Sequence, residues 1–293
     1  MCQCSKIRAN TNVVLPGSKP KNNSETYLQD AVDHLVSAHG ALGERDVDPL
    51  CWDMVSEELA ATLLVLGVRR RQSALSSSSP EPLMIQASRL TPGVENAIIE
   101  PMERSCKIYE SLGTVHAAHQ AAAAHYQLAL YFSKVWTCQR DEAKTRDKLA
   151  AAFKHYLLAQ QYFSRHIENN QTTFVVLSLD FSNLYSAVNG KEECLLKSLT
   201  CCLDTRKAFT SVPLACKATL EKMTTLSESV ELRVSKLLLS LVKIKKEKYK
   251  RSYRRVLEHK MSSSQKEGTS ENETITFPIV KLLQALSKDL FSV

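Results

Sequence analysis

Glycine and proline are sparse in this chain, at 8 and 9 among 293 residues. A protein of short strands needs such turn residues every ten positions or so, and no stretch here alternates apolar and polar with period two for long. The class expected is all-α. Six of the glycines, at 40, 43, 67, 93, 113 and 190, fall at the edges of amphipathic stretches, where turns and helix C-caps favour them. No apolar run reaches the roughly 18 residues of a membrane span and no charged-then-apolar leader opens the sequence, so no membrane association is expected. Nine cysteines, an odd number, are scattered from Cys2 to Cys216 without a framework. Reduced, mostly buried thiols in a nuclear or cytoplasmic protein are the expectation. With no secretory route, the sequons at Asn22, Asn170 and Asn272 carry little weight. Gly-rich phosphate loops, nucleophile elbows and His-Glu-x-x-His helices are also missing. No catalytic residue, metal site or cofactor is therefore assigned, and the chain reads as a non-enzyme.

The sequence is organised around Thr114 to Ile167, where HAAHQAAAAHYQLALYF is followed by DKLAAAFKHYLLAQQYFSRH. Both segments are amphipathic, with small residues punctuated by aromatics. Ala152, Tyr156 and Ala159 stand at i, i+4 and i+7 on one helical face, the second-helix signature of a tetratricopeptide repeat. Alanine lets paired helices approach closely, and the ring fills the space between pairs. Ser105, Tyr109 and Leu112 repeat the pattern, as Leu195, Leu199 and Cys202 do more weakly. First-helix spacing recurs at Trp52, Val55, Ser56 and Leu59, and at Phe174, Leu177, Ser178 and Phe181. Tyr109 to Tyr156 is 47 residues and Tyr156 to Leu199 is 43, against about 34 in a regular repeat. The fold class is thus a right-handed array of antiparallel helix hairpins, a degenerate tetratricopeptide-like α-solenoid with lengthened helices or loops, one loop at 136–145.

The expected organisation is a disordered lead-in at 1–26, a helical array over 27–260 with a loop at about 72–91, a polar linker at 261–274 and an amphipathic helix over 275–293. Cys2 and Cys4 have no second pair at ligand spacing, and Ser79-Pro80 reads as an ordinary solvated loop. Thr91 is placed as an N-cap, and Pro101 as either a kink or a fresh helix start. The final helix presents Ile279, Leu282, Leu283, Leu286 and Leu290 on one face, expected to fold back and cap the array, with docking on another protein as a detached amphipathic segment the alternative.

Residues 86–190, centred on QASRLTPGVENAIIEPMERSCKIYESLGTVHAAHQAAAAHYQLALYF, resemble the C-terminal region of the erythroid differentiation-related factor family, with LTPG and HYQLALY the most specific parts. The resemblance is taken to run from about residue 27 to the C-terminus. It implies a nuclear protein with tetratricopeptide-like repeats, associated with erythroid differentiation. The family is linked to globin gene expression through the DNA-binding activity of a GATA-type transcription factor. Family members carry a long N-terminal region absent here, so a fragment or short isoform is expected. The resemblance supplies no catalytic or binding residue.

Other proteins are the expected partners, a GATA-type transcription factor among them. If Tyr126 packs inward, Gln120, Ala124 and Gln127 point to a groove where the amides would bond a peptide backbone. His116 and His125, nine positions apart, lie about 180° apart around a helix and cannot share an ion; with His119 they read as surface or groove histidines. Between Lys243 and Lys260 stand nine Lys/Arg and two Glu, a balance of +7 that equals the net charge of the whole chain. Read as a continuation of the preceding helix, this stripe (Lys245, Lys246, Lys248, Lys250, Arg251, Arg254 and Arg255) is either a solvated end, a nuclear-import signal or a contact for an acidic partner. Direct nucleic-acid binding ranks last, because a basic helix side supplies phosphate contacts without base readout. The sequence thus reads as a nuclear protein-interaction scaffold, with the cytoplasm as the alternative location. A nucleic-acid binder using residues 243–260 or a helical enzyme without a known motif are the rival classes.

Overall fold

The computed structural model describes residues 23–75, 90–138, 142–188, 190–211, 217–263 and 277–291. Cys2, Cys4, Ser79-Pro80 and most of the lead-in and of the two expected loops at 72–91 and 261–274 lie outside these residues. The described residues are helical apart from short connections, without a strand. The helices are α1 (Asn23–Leu42), α2 (Pro49–Ala74), α3 (Pro92–Leu112), α4 (Val115–Cys138), α5 (Glu142–Arg165), α6 (Gln171–Ala187), α7 (Glu192–Asp204), the short α8 (Arg206–Thr210), α9 (Lys217–Ile244), α10 (Lys246–Ser263) and α11 (Pro278–Phe291). A 3-10 turn, Ile167–Asn169, precedes α6.

Local chemistry sets several boundaries. Asp48 accepts a hydrogen bond from the Cys51 amide at 3.1 Å and Pro49 occupies the first turn of α2, where a missing N–H costs nothing. Thr91 caps α3 through the Val94 amide, ahead of Pro92, and Thr114 caps α4 through the Ala117 amide at 3.0 Å. Gly113 ends α3 at φ 70°, a left-handed conformation that other residues adopt at a cost. Pro101 neither ends nor restarts α3: the helix runs through it, with the ring buried. Helix α4 continues to Cys138 and α5 begins at Glu142, so the connection is narrower than the loop read at 136–145.

Each helix packs on its neighbour in sequence: α1 on α2, α2 on α3, and so on to α7, then α7 on α9, α9 on α10 and α10 on α11. Contacts one helix further on join α2 to α4 and α4 to α6, and α9 touches α6. Among the described residues one continuous buried cluster runs from Leu75 to Leu286, with two smaller clusters among α1, α2, α3 and α4. Ala152, Tyr156 and Ala159 are 0–1% exposed, and the Tyr156 ring stacks on Phe181 of α6 with centroids 5.0 Å apart. Ser105, Tyr109 and Leu112 are buried between α2 and α4, with Ser105 Oγ donating to the Ala60 carbonyl at 2.8 Å. The closest approach is at Gly67, where a Cβ would collide with the Met102 side chain and come within 3.1 Å of the Ile98 carbonyl. Arg70 crosses three helices, bonding Glu25 and Gln29 of α1 and the Ala97 carbonyl of α3.

The basic segment departs from expectation. It does not prolong α9. The chain turns at Lys245 and α10 doubles back, bringing His259 within 3.5 Å of Glu231. Glu192, at the start of α7, holds the corner by accepting from Lys245 at 2.6 Å, from Lys248 at 3.0 Å and from the Tyr249 hydroxyl. These contacts keep its carboxyl well below the ordinary range, at about 2. Tyr249, Ser252 and Val256 form the buried side of α10. Helix α11 lies against α10, α8 and α7, with Arg255 paired to Asp289 at 2.8 Å and Phe209 against Phe277.

Candidate partner-binding face

Alternate helices α2, α4, α6 and α9 share one side of the molecule, and open hollows lie where they meet. One of about 520 Å³ is bounded by Arg71 and Gln72 of α2, Leu130, Ser133, Lys134 and Thr137 of α4, and Asp180 and Asn183 of α6, with Tyr156 at its floor. Arg71 donates to the Gln127 carbonyl at 3.2 Å and Lys134 to the Leu75 carbonyl at 2.9 Å, leaving both charges without a carboxylate partner among the described residues. Burial lowers the Arg71 pKa and raises that of Asp180, which accepts a hydrogen bond from Tyr126. A second hollow of similar volume is mainly apolar, walled by Tyr126, by Thr172, Thr173 and Val176 on α6, and by Lys222, Thr225 and Leu226 on α9. A third lies between α2 and α4, where Met54, Glu57 and Ala61 face His116 and Gln120.

Gln127 and Gln120 sit on the same side of α4 as Leu130, Lys134 and Thr137, by their three- and seven-residue spacings. Gln120 borders the third hollow and Gln127 meets the first through its carbonyl, so the structure does not gather the two at one point. Ala124 is misassigned as groove-lining: it is 0% exposed and part of the core. It stands about 100° round the helix from Ala123, which is partly exposed. Sequence reasoning missed Arg71, Lys134, Asp180 and Asn183, which converge from three helices and share no local motif.

The histidines divide. His116 is exposed and paired with Glu57 at 2.9 Å, while His119 packs edge-on to Tyr162 and Phe163. His125 is not a surface residue: it is buried, and it borders a separate hollow of about 330 Å³ beside Tyr109, Glu110 and Leu158. Its Nε2 is 3.0 Å from Glu110, and its Nδ1 lies 3.0 Å from His155 Nδ1 and 3.4 Å from Cys106 Sγ. With Nε2–H donating to the Glu110 carboxylate, Nδ1 has a single lone pair, for which His155 N–H at 3.0 Å and the Cys106 thiol at 3.4 Å compete. Burial, helped by the neighbouring imidazole, holds His155 neutral down to about pH 4. Burial also pushes the Cys106 thiol to about 12, which leaves no thiolate for nucleophilic work. Among the described residues no His, Cys, Asp and Glu group is arranged to hold a metal.

Of the basic stripe, Lys245, Lys248 and Arg255 are engaged in ion pairs. Lys246, Lys250, Arg251 and Arg254 are exposed, with no ion-pair partner among the described residues.

No protein-family model matches the chain. Erythroid differentiation-related factor 1 of Pongo abelii and of Homo sapiens are each 29% identical to it over 143 residues, and that of Mus musculus is 28% identical over 142. These matches cover 47% of this chain and 11% of each relative. The chain therefore resembles the erythroid differentiation-related factors over about half its length, while spanning only a small part of theirs.

Proposed function

We propose that this chain is a non-enzymatic interaction scaffold of the nucleus, a degenerate tetratricopeptide-like α-solenoid whose α2–α4–α6–α9 side is the groove that holds a partner. The observation that carries it is the row of open hollows along these alternate helices, where Arg71, Lys134, Asp180 and Asn183 stand beside apolar Val176 and Leu226. That mixture suits a peptide, with amides and charges for its backbone and an apolar trough for a side chain. The likeness to relatives named for erythroid differentiation supports a partner in that programme, and a GATA-type transcription factor is the partner to test first.

The test is co-precipitation from erythroid nuclear extract, and with a purified GATA-type factor, using wild type and a Val176→Asp/Asn183→Asp variant. Both positions are exposed, so the variant should keep its melting temperature and lose capture. Retained capture would remove the groove assignment. The outward Lys246, Lys250, Arg251 and Arg254 favour a nuclear-import role for α10; a fluorescent fusion with all four changed to Gln should then stay in the cytoplasm.

A further inference from the structure

Past the apolar trough, the groove between α6 and α9 changes character. A hollow of about 390 Å³ is lined by Arg233, Lys236 and Lys243 of α9 and by Ser186, Ser240 and Gly190, with no carboxylate among its walls. The three cations share one side of α9 by their three- and seven-residue spacings. Arg233 is partly buried and locked in place: Nε donates to Ser182 Oγ at 3.0 Å, and Nη2 reaches the Ser182 carbonyl at 2.8 Å, Ser186 Oγ, and Ser198 Oγ at 3.4 Å. All of these partners are neutral oxygens. They orient the guanidinium without compensating its charge, and burial works against that charge. The nearest carboxylate in sequence to Gly190, Glu192, is already engaged by Lys245, Lys248 and Tyr249. Lys236 and Lys243 are exposed and have no ion-pair partner among the described residues.

We infer that this hollow is an anion site for the phosphoryl group of a phosphoserine- or phosphothreonine-containing partner peptide. The Ser186 and Ser240 hydroxyls already donate to the Asn183 and Lys236 carbonyls, so the cations carry the site: a fixed guanidinium flanked by two mobile ammonium groups suits a dianion with three free oxygens better than a carboxylate with two. The peptide assignment rests on the groove reading above. Leu226, in the apolar trough, and Arg233 are seven residues apart on α9, which is about 10 Å along a helix. An extended chain covers that distance in about three residues, so the ligand carries an apolar side chain some three residues from its phosphorylated one.

The full chain is titrated with inorganic phosphate against sodium chloride of equal ionic strength, following its melting temperature. It is then titrated with fluorescein-labelled degenerate peptide pools, with and without a central phosphoserine. Phosphate is expected to raise the melting temperature, and the phosphorylated pool to bind at least about tenfold tighter than its counterpart. Both effects should vanish in Lys236→Gln/Lys243→Gln and persist in Lys107→Gln, an exposed α3 change. Equal binding of the two pools, a phosphate effect that survives in the double variant, or tighter binding to phosphoinositide vesicles than to the phosphorylated pool overturns the inference. Val176→Asp/Asn183→Asp separates the two readings: if it captures partners as wild type does while phosphate binding stays intact, the groove reading alone fails.

Discussion

Tyr126 on α4 donates its phenolic hydrogen bond to Asp180 on α6 across 2.5 Å, at the boundary between the polar and apolar hollows. Burial raises the Asp180 pKa, and this one bond opposes the rise. A carboxyl whose folded pKa is raised contributes most below the unfolded range and loses that contribution as pH climbs through the folded value. Tyr126→Phe should therefore cost about 1–2 kcal/mol at pH 7 and progressively less toward pH 4. Asp180→Asn keeps an acceptor without the charge and should be at least as stable as wild type at pH 7. Urea titrations at the two pH values check this, and an equal Tyr126→Phe deficit at both would contradict it.

His155 gives the opposite pH dependence. Its folded pKa, about 4, lies below the ordinary 6.5, so the unfolded chain takes up its proton first. Stability is full above about pH 6.5 and falls between there and about 4, by something like 3 kcal/mol. The groups against it are His125 and Phe132, with Lys154 beside it on α5, and Cys106 and Glu110 one step further, in contact with His125. His155→Asn should flatten this part of the stability–pH curve, which denaturant midpoints across the range would reveal.

Tyr131 has a completely buried ring and a hydroxyl with no hydrogen-bond partner among the described residues. Tyr131→Phe removes an uncompensated desolvation and should stabilise the protein by about 1 kcal/mol. Differential scanning calorimetry would register a higher melting temperature; a lower one would mean that the hydroxyl is satisfied.

Gly67 tests the α2–α3 packing. Gly67→Ala introduces a Cβ against Met102 and the Ile98 carbonyl, for a net loss of about 1–3 kcal/mol despite alanine's better helix propensity. Adding Met102→Ala would relieve the clash but leave a cavity, so the double variant should fall short of wild type.

Glu192 is the keystone of the α9–α10 corner. Its depressed pKa means the corner is held above the unfolded carboxylate range, near 4.5, and released as pH falls through about 2. Glu192→Gln should raise amide exchange in residues 246–263 at neutral pH while leaving α4 and α5 protected.

The pairing of small and aromatic residues was legible because it is local: Ala152, Tyr156 and Ala159 announce a buried stripe within eight positions. The doubling back at Lys245 was hidden for the same reason. LVKIKKEKYK has no glycine or proline, and the turn is fixed by Glu192, more than fifty residues away. Ala124 was placed one position out, since Ala121 to Ala124 read alike and only packing distinguishes them. His155 was masked by Tyr156 beside it, and Arg233 by a helix otherwise notable for its apolar face.

Because each helix leans chiefly on its immediate neighbours, damage need not spread through the whole chain. Helix α1 is tied to α2 by a small cluster around Val32 and by Arg70, whereas α11 is clamped by α7, α8 and α10. Gradual denaturation should peel the molecule from the α1 side, with the Tyr156–Phe181 layers melting last, so that truncated or partly unravelled chains could still present the α6–α9 seam intact.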